Sequence, residues 1–304
     1  MNDLNRRAFL GVSARLAALM GLCGGAAPRV AEALEELARG GAPVLWLQGQ
    51  CCSGCSISFL NSELPSALKV VTRDISLRFH QTLSSATGHL AVETVNRAIE
   101  AGGYVLIVEG SVPGQMPKAC LFGEEPFGEQ LQRAARRAKA VVSVGACAAF
   151  GGIPAARNNP TGAQSVPEYL KAHDWKGTSI AIPGCPVNPD WILGTLVHLL
   201  KFGPPPLDEQ GRPKAFFSRN LHDQCPRFAD YERERFARTY GEEGCLFKLG
   251  CLGPITRSDC NLRSFNGRVN SCIRAGSPCI GCCSEEFALK PEIPFTTKKR
   301  AARA

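Results

Sequence analysis

The chain has 304 residues, 44% of them hydrophobic and 20% charged, which excludes a disordered polypeptide and is enough for two ordinary domains. The net charge of +8 is modest for this length. Part of it sits in a terminal run of Lys298, Lys299, Arg300 and Arg303, and no aromatic-interleaved basic patch of the kind that binds single strands accompanies it. Fifteen cysteines stand out. A chain this long does not need disulfides in place of a core, and the cysteines fall in short-spaced pairs beside Gly and Pro, so thiolate-bound metal is the better reading.

Residues 1–33 read as a targeting segment. Asn5-Arg6-Arg7-Ala8-Phe9-Leu10 forms a twin-arginine pattern close to Met1. A weakly apolar, Ala- and Gly-rich stretch interrupted by Arg15 follows, and Ala31-Glu32-Ala33 offers a cleavage site. The plainer alternative is an amphipathic N-terminal helix. The twin-arginine pathway moves folded proteins, so a cofactor can be loaded before export, and the expected location is the periplasm. Leu22 is too large for Cys23 to read as a lipoprotein cysteine. No apolar run of 18 residues follows the signal, so no membrane span is expected.

From 42 to 202 the pattern alternates between short apolar runs and amphipathic stretches. Expected strands are Pro43–Leu47, Lys69–Asp74, Tyr104–Val108, Ala140–Val144 and Ser179–Ile182. Expected helices are Ser56–Asn61, His89–Glu100, Phe127–Ala138 and Pro189–Leu200. This alternation predicts an α/β fold with a parallel sheet covered on both faces. Gly203-Pro204-Pro205-Pro206 then breaks the chain. Residues 207–290 read as a second, smaller and irregular domain in which Cys, Gly, Arg and Asn dominate. It is too poor in regular structure to bury a large core, so bound clusters are expected to staple it. Residues 291–304 read as a solvated tail.

The cysteines divide into three sets. Cys52-Ser53-Gly54-Cys55, Cys147 in Gly145-Ala146-Cys147, and Cys185 in Pro183-Gly184-Cys185-Pro186 all lie just past the carboxyl ends of expected strands. Ligands bind at that edge of an open parallel sheet, and helix N-termini facing it suit an anionic thiolate cluster. Four such thiolates suit a 4Fe–4S cluster. Structural zinc and buried free thiols are the alternatives, although zinc usually takes two close pairs on a small ribbon. The second set is His222, Cys225, Cys245 and Cys251, where the three-residue offset from Cys225 lifts His222 above the unassigned His80, His89, His173 and His198. The third is Cys260, Cys272, Cys279 and Cys282. Cys23, Cys51, Cys120 and Cys283 remain, and the last three read as small buried spectators or, for Cys51 and Cys283, as alternative ligands or potential-tuning sulfurs.

These residues carry a family resemblance over nearly all of the chain beyond the signal. Trp46-Leu47-Gln48-Gly49-Gln50 with Cys52-Ser53-Gly54-Cys55-Ser56 resembles the opening of nickel–iron hydrogenase small subunits. Val108-Glu109-Gly110, Gly145-Ala146-Cys147 with Gly151-Gly152, and Pro183-Gly184-Cys185-Pro186 with Pro189-Asp190-Trp191 continue the likeness. His222-Asp223-Gln224-Cys225-Pro226, Leu249-Gly250-Cys251-Leu252-Gly253-Pro254 and Pro278-Cys279-Ile280-Gly281-Cys282 complete it in family order. The resemblance implies a flavodoxin-like domain followed by a cluster-binding domain. It implies a proximal 4Fe–4S cluster on Cys52, Cys55, Cys147 and Cys185, and a distal one on His222, Cys225, Cys245 and Cys251. The medial cluster would use Cys260, Cys279 and Cys282. In the commonest subtype proline stands at the position of Cys272 and the medial cluster is 3Fe–4S. Cys272 departs toward the nickel–iron–selenium subtype, where a fourth thiolate completes a 4Fe–4S, and Gln48-Gly49-Gln50 and Cys120 lean the same way. Oxygen-tolerant relatives carry extra cysteines where this chain has Ser53-Gly54 and Gly152, so an ordinary proximal cluster is expected.

The implied function is electron relay. A separate large subunit with the nickel–iron site splits hydrogen, and an external acceptor such as a c-type cytochrome exchanges electrons at the far end. This chain then supplies no catalytic acid, base or nucleophile. Two rivals differ in class: a cluster-binding subunit of quinone-reducing complexes, which lacks the second domain, and a non-enzymatic exported metal-binding protein.

Overall fold

Five strands form one sheet: β1 Ala42–Gln48, β2 Ile75–His80, β3 Val105–Glu109, β4 Ala140–Val144 and β5 Ser179–Ile182, the last three rich in Val and Ile. All neighbours are parallel, in the order β2-β1-β3-β4-β5, the doubly wound arrangement of flavodoxin-like sheets. This is a computed structural model. It describes residues 41–288 except 64, 72–74, 157 and 266, together with Ala14. The expected export signal apart from Ala14, Cys23 and the basic tail lie outside the described residues.

Alternation along the strands divides the core in two. Val44 and Trp46 of β1 and Val105 and Ile107 of β3 face one side, while Leu45, Leu47, Leu106 and Val108 face the other. Helices α1 (Gly54–Leu60) and α6 (Pro189–Phe202) cover the first face through Phe59, Trp191, Ile192 and Leu196. Helices α2 (Gly88–Ala101), α3 (Phe127–Arg137) and α5 (Val166–Ala172) cover the second through residues such as Val95, Ile99, Leu131 and Leu170. The short helix α4 (Gly145–Phe150) starts directly from β4. Four expected helices appear with ends shifted by a residue or two, and α4 and α5 are additional. Ser165 and Glu168 form a capping box at α5, a signal present in the sequence.

The expected strand Lys69–Asp74 is corrected at its start: Ala67–Lys69 is a helical turn begun by Ser66, whose hydroxyl accepts from the Lys69 N–H, and the strand described next is β2, while residues 72–74 lie outside the described residues. Val70 is buried in the first core as part of that turn. The true strand lies at the edge of the sheet, paired only with β1. Its middle residues are half-buried or exposed, so it lacks the continuous apolar run that marks a central parallel strand.

Beyond Gly203, which ends α6 at φ +77°, the described chain has short helices at Lys214–Phe217, Phe228–Glu232 and Cys260–Arg263, several single 3₁₀ turns and isolated bridges. It packs onto the sheet rather than apart from it. Phe216, Phe217 and Cys283 join the first core, and Phe287 and Ala288 pack on Ala146 of α4. Buried polar joints fix the orientation. Arg263 pairs with Asp259 and with Asp190 at the start of α6, and the Trp191 indole donates to Asp259 at 2.8 Å. Arg212 pairs with Asp208 and donates to the Cys283 carbonyl at 2.9 Å. Such buried pairs specify geometry more than they add net stability.

Leu106 in the central strand is fully buried. Leu106→Ala should cost about 2–5 kcal/mol, read as a lowered denaturation midpoint of the assembled protein. Exposed Lys171→Ala should stay within about 0.5 kcal/mol in the same assay.

Candidate metal centre

Past the carboxyl ends of β1, β4 and β5 come, in turn, Cys52 in a loop with Cys55 in the first turn of α1, Cys147 in the first turn of α4, and Cys185 in a loop. Two glycines let these segments approach. Gly145 sits at φ +89°, and a Cβ there would lie 2.5 Å from Cys55 Sγ. Gly152 sits at φ +55°, and a Cβ there would lie 2.8 Å from Cys147 Sγ. Ala146 N–H donates to the Gly184 carbonyl at 2.7 Å, tying the start of α4, which bears Cys147, to the Cys185 loop. Electrostatics agree with this proximity. Burial and then neighbouring charge raise these thiols: Cys55 is raised by Cys147 and Cys185, and both Cys147 and Cys185 by Cys52. Cys185 is pushed up to about 12. Cys52 keeps exposed surface.

The second set surrounds a narrow cavity lined by His222, Cys225, Cys245 and Cys251. The His222 ring stands edge-on to Phe228 and Tyr231, at 5.1 and 4.7 Å between centroids. Cys225 Sγ accepts the Arg227 N–H at 3.4 Å, and Cys251 Sγ accepts the Gly253 N–H at 3.5 Å. The third set lines a cavity of about 310 Å³ that carries Cys260, Cys272, Cys279 and Cys282, with Cys185 and Cys283 on its wall. Cys279 Sγ accepts from Gly281 N–H at 3.4 Å, and Cys260 Sγ from the Ser258 hydroxyl at 3.2 Å. Burial, then Cys282 and Cys260, raise the Cys272 thiol to about 11.

The three sets touch in a row. Cys185 of the first is raised by Cys282 of the third, and the two line one wall. Cys251 of the second accepts the N–H of Cys279 of the third at 3.3 Å. Of the remaining cysteines, Cys283 is buried against the Pro183 carbonyl at 3.6 Å. Cys51 adjoins the first set, its thiol pushed up to about 12 by burial and by Glu109. Cys120 packs against the second core face.

The donor chemistry fits iron–sulfur clusters. A zinc ion would need its sulfurs about 4 Å apart. Among the described residues no three His, Cys, Asp or Glu side chains close around a single metal ion. Buried thiols that raise one another cannot all ionise unaided, and bound iron would supply the missing positive charge. Backbone N–H groups aimed at sulfur from two residues ahead, at Cys225, Cys251 and Cys279, suit bound thiolates.

Sequence reasoning overlooked a polar group beside the first set. Glu109, Ser56, Gln48 and His80 are all buried and linked by hydrogen bonds. The available signal was an acid closing the wholly apolar run Val105–Val108.

Residues 52–199 match the family described as NADH ubiquinone oxidoreductase, 20 Kd subunit, and residues 217–295 match the family of C-terminal regions of NiFe/NiFeSe hydrogenase small subunits. The Hydrogenase-2 small chain of Escherichia coli (strain K12) is 40% identical over 295 residues, 93% of this chain and 77% of the relative. The periplasmic NiFeSe hydrogenase small subunit of Desulfomicrobium baculatum is 36% identical over 305 residues, 94% of this chain and 96% of the relative. The solved NiFeSe hydrogenase of Dm. baculatum superposes with a TM-score of 0.79 at 36% identity, over 84% of this chain and 98% of that one. Recombinant NiFeSe hydrogenase from Desulfovibrio vulgaris Hildenborough gives 0.78 at 38% identity, over 86% and 98%.

Gly145→Ala combines backbone strain with a clash on Cys55 Sγ. Metal per chain should fall by the share of one set, with the other two retained, as counted by elemental analysis of the purified protein.

Proposed function

Because this chain belongs to the nickel–iron hydrogenase small-subunit family, whose members work in heteromeric enzymes with a large subunit, we propose that it is the electron-relay subunit of an exported hydrogenase. Cys52, Cys55, Cys147 and Cys185 would hold a proximal 4Fe–4S cluster. Cys260, Cys272, Cys279 and Cys282 would hold a medial 4Fe–4S, and His222, Cys225, Cys245 and Cys251 a distal one. When bound, the clusters carry electrons one at a time between the hydrogen-splitting site of the large subunit and an external acceptor such as a c-type cytochrome. The observation that carries this reading is the row of three sets, linked by Cys185 beside Cys282 and by the Cys279 N–H on Cys251 Sγ.

The chain's own residues hold the ligands, shield them from water and supply hydrogen bonds to sulfur. The neutral imidazole of His222 would remove one anionic ligand at the distal site, which favours the reduced state by the logic of histidine-ligated centres. Its exposed neighbours Tyr231 and Phe247 suit the exit toward a partner. At the other end, exposed Cys52 precedes α1, whose Ile57 and Leu60 share an outward face at 55% and 48% exposure. An apolar face beside the proximal set suits a large-subunit interface. Relatives named periplasmic accord with export through Arg6 and Arg7. Among the described residues no helix is long and apolar enough to cross a membrane.

The native complex tests the reading directly. It should co-purify with a large subunit and contain iron and sulfide equivalent to three clusters per small chain. Absence of either would refute it. Cys272→Pro removes one sulfur from the medial set. One iron per chain should be lost and a 3Fe–4S paramagnetic signal should appear at a raised medial potential; a signal of that type already strong in undamaged wild-type protein would refute the four-thiolate assignment. Replacing Arg6 and Arg7 with Lys should leave folded enzyme in the cytoplasm, measured as lost periplasmic activity.

A further inference from the structure

β3 ends on Glu109, the only buried acid among the described residues, at 1% exposure. Its Oε1 accepts the N–H of Cys55 at 3.0 Å and of Ser56 at 3.4 Å. Its Oε2 accepts the Ser56 hydroxyl and the Gln48 amide, the latter at 3.1 Å. Four donors point at this group and it donates to none, the pattern of a carboxylate. Behind Ser56, His80 Nε2 lies 3.2 Å from Oγ. His80 Nδ1 accepts the Thr82 N–H at 3.1 Å, so Nε2 carries the proton and donates to Ser56. Burial holds His80 down to about 4, which keeps the ring neutral.

Cys55 and Ser56 are the second and third residues of α1, where N–H groups have no partner inside the helix. The residue ahead of the helix would normally supply one. Here Ser53 sits at φ 60° and ψ 12°, and its side chain makes no capping bond. Glu109 therefore caps α1 from another strand. Two of the N–H groups at the start of α1, those of Cys55 and Ser56, thus serve a carboxylate rather than sulfur. The field of Glu109 also reaches Cys51 and Cys55, and after burial it is the next cause raising both thiols.

We infer that Glu109 is a positioning residue for the first cysteine set: it anchors Cys55 by capping α1, and its fixed charge holds down the potential of the cluster bound there. This rests on the proposed cluster at Cys52, Cys55, Cys147 and Cys185. Reduction adds negative charge to a cluster, and a neighbouring anion in a low-dielectric site opposes it. The Ser56 hydroxyl and the Gln48 amide spread part of that charge, so the field at the sulfurs depends on them as well.

The test uses the assembled enzyme and follows each cluster by paramagnetic resonance at poised potentials, with iron counted per chain. Glu109→Gln keeps an acceptor for the N–H pair and removes the charge. Iron should be unchanged, and the proximal midpoint should rise while the medial and distal midpoints stay fixed. Ser56→Ala withdraws a donor and leaves the carboxylate less neutralised, so the same midpoint should fall. Glu109→Ala removes cap and charge together. It should lose iron from this set and speed hydrogen exchange at the Cys55 and Ser56 amides. Midpoints that stay put, or that move in the same direction in Glu109→Gln and Ser56→Ala, overturn the charge role. Full iron and wild-type amide protection in Glu109→Ala overturn the anchoring role. Should Glu109→Gln fail to assemble, Ser56→Ala decides the charge role by itself, and no downward shift overturns it. A wild-type enzyme with no cluster on these four cysteines would instead overturn the cluster reading, so the two failures are distinct.

Discussion

Sulfur buried away from water cannot carry charge without compensation, and this requirement shapes the chain around the three cysteine sets. The thiols lie in low-dielectric surroundings, and in the first and third sets they raise one another. Backbone supplies part of the compensation. Tight turns aim an N–H at the sulfur two residues earlier, at Cys225, Cys251 and Cys279. Most other backbone N–H groups of the segment after Gly203 bond to nearby carbonyls in turns and isolated bridges rather than in long helices or ladders. The rest of the compensation is what bound iron would provide, and a segment stapled in that way needs only a small apolar core of its own, here Leu221, Ala237, Leu246, Ile273 and Cys279.

The sheet contributes the opposite property, rigidity. Its two apolar faces are closed by helices and, on one side, by Phe216 and Phe217 from the later segment. A rigid edge can therefore present loops from three strands to one point, with Gly145 and Gly152 permitting contacts that a Cβ would forbid. The buried joints of Arg263 with Asp190 and Asp259, and of Arg212 with Asp208 and the Cys283 carbonyl, set how the irregular segment sits against that edge. That registration brings Cys185 to the wall shared with Cys282. In the proposed relay, spacing between successive centres would follow from these joints rather than from the loops that carry the ligands.

Much of this was legible in the residues. Val- and Ile-rich runs alternating with amphipathic stretches imply a parallel sheet, because only strands buried on both faces are apolar throughout. Cysteines directly after such runs must lie at the carboxyl edge, since strand direction is shared in a parallel sheet. Short local spacings supplied only pairs, such as Cys52 with Cys55 and Cys279 with Cys282, and the expected grouping by fours drew also on position after a strand and on the family resemblance. Local signals failed where neighbours in space override them. Val70 and Val71 look like a strand, but Ser66 starts a helical turn there and the edge strand begins later with a mixed, half-exposed pattern.

The sequence by itself thus determined the parallel sheet and the edge at which the first thiols collect, because these depend on local periodicity and on the position of a cysteine directly after an apolar run. Only the tertiary structure decided that Glu109 caps α1 from 54 residues away, that His80 and Ser56 stand behind it, and that Cys251 receives its hydrogen bond from Cys279. Those contacts join segments far apart in the chain. Their geometry is set by strand order and by the packing of one segment on another, and neither leaves a trace in any short window of residues.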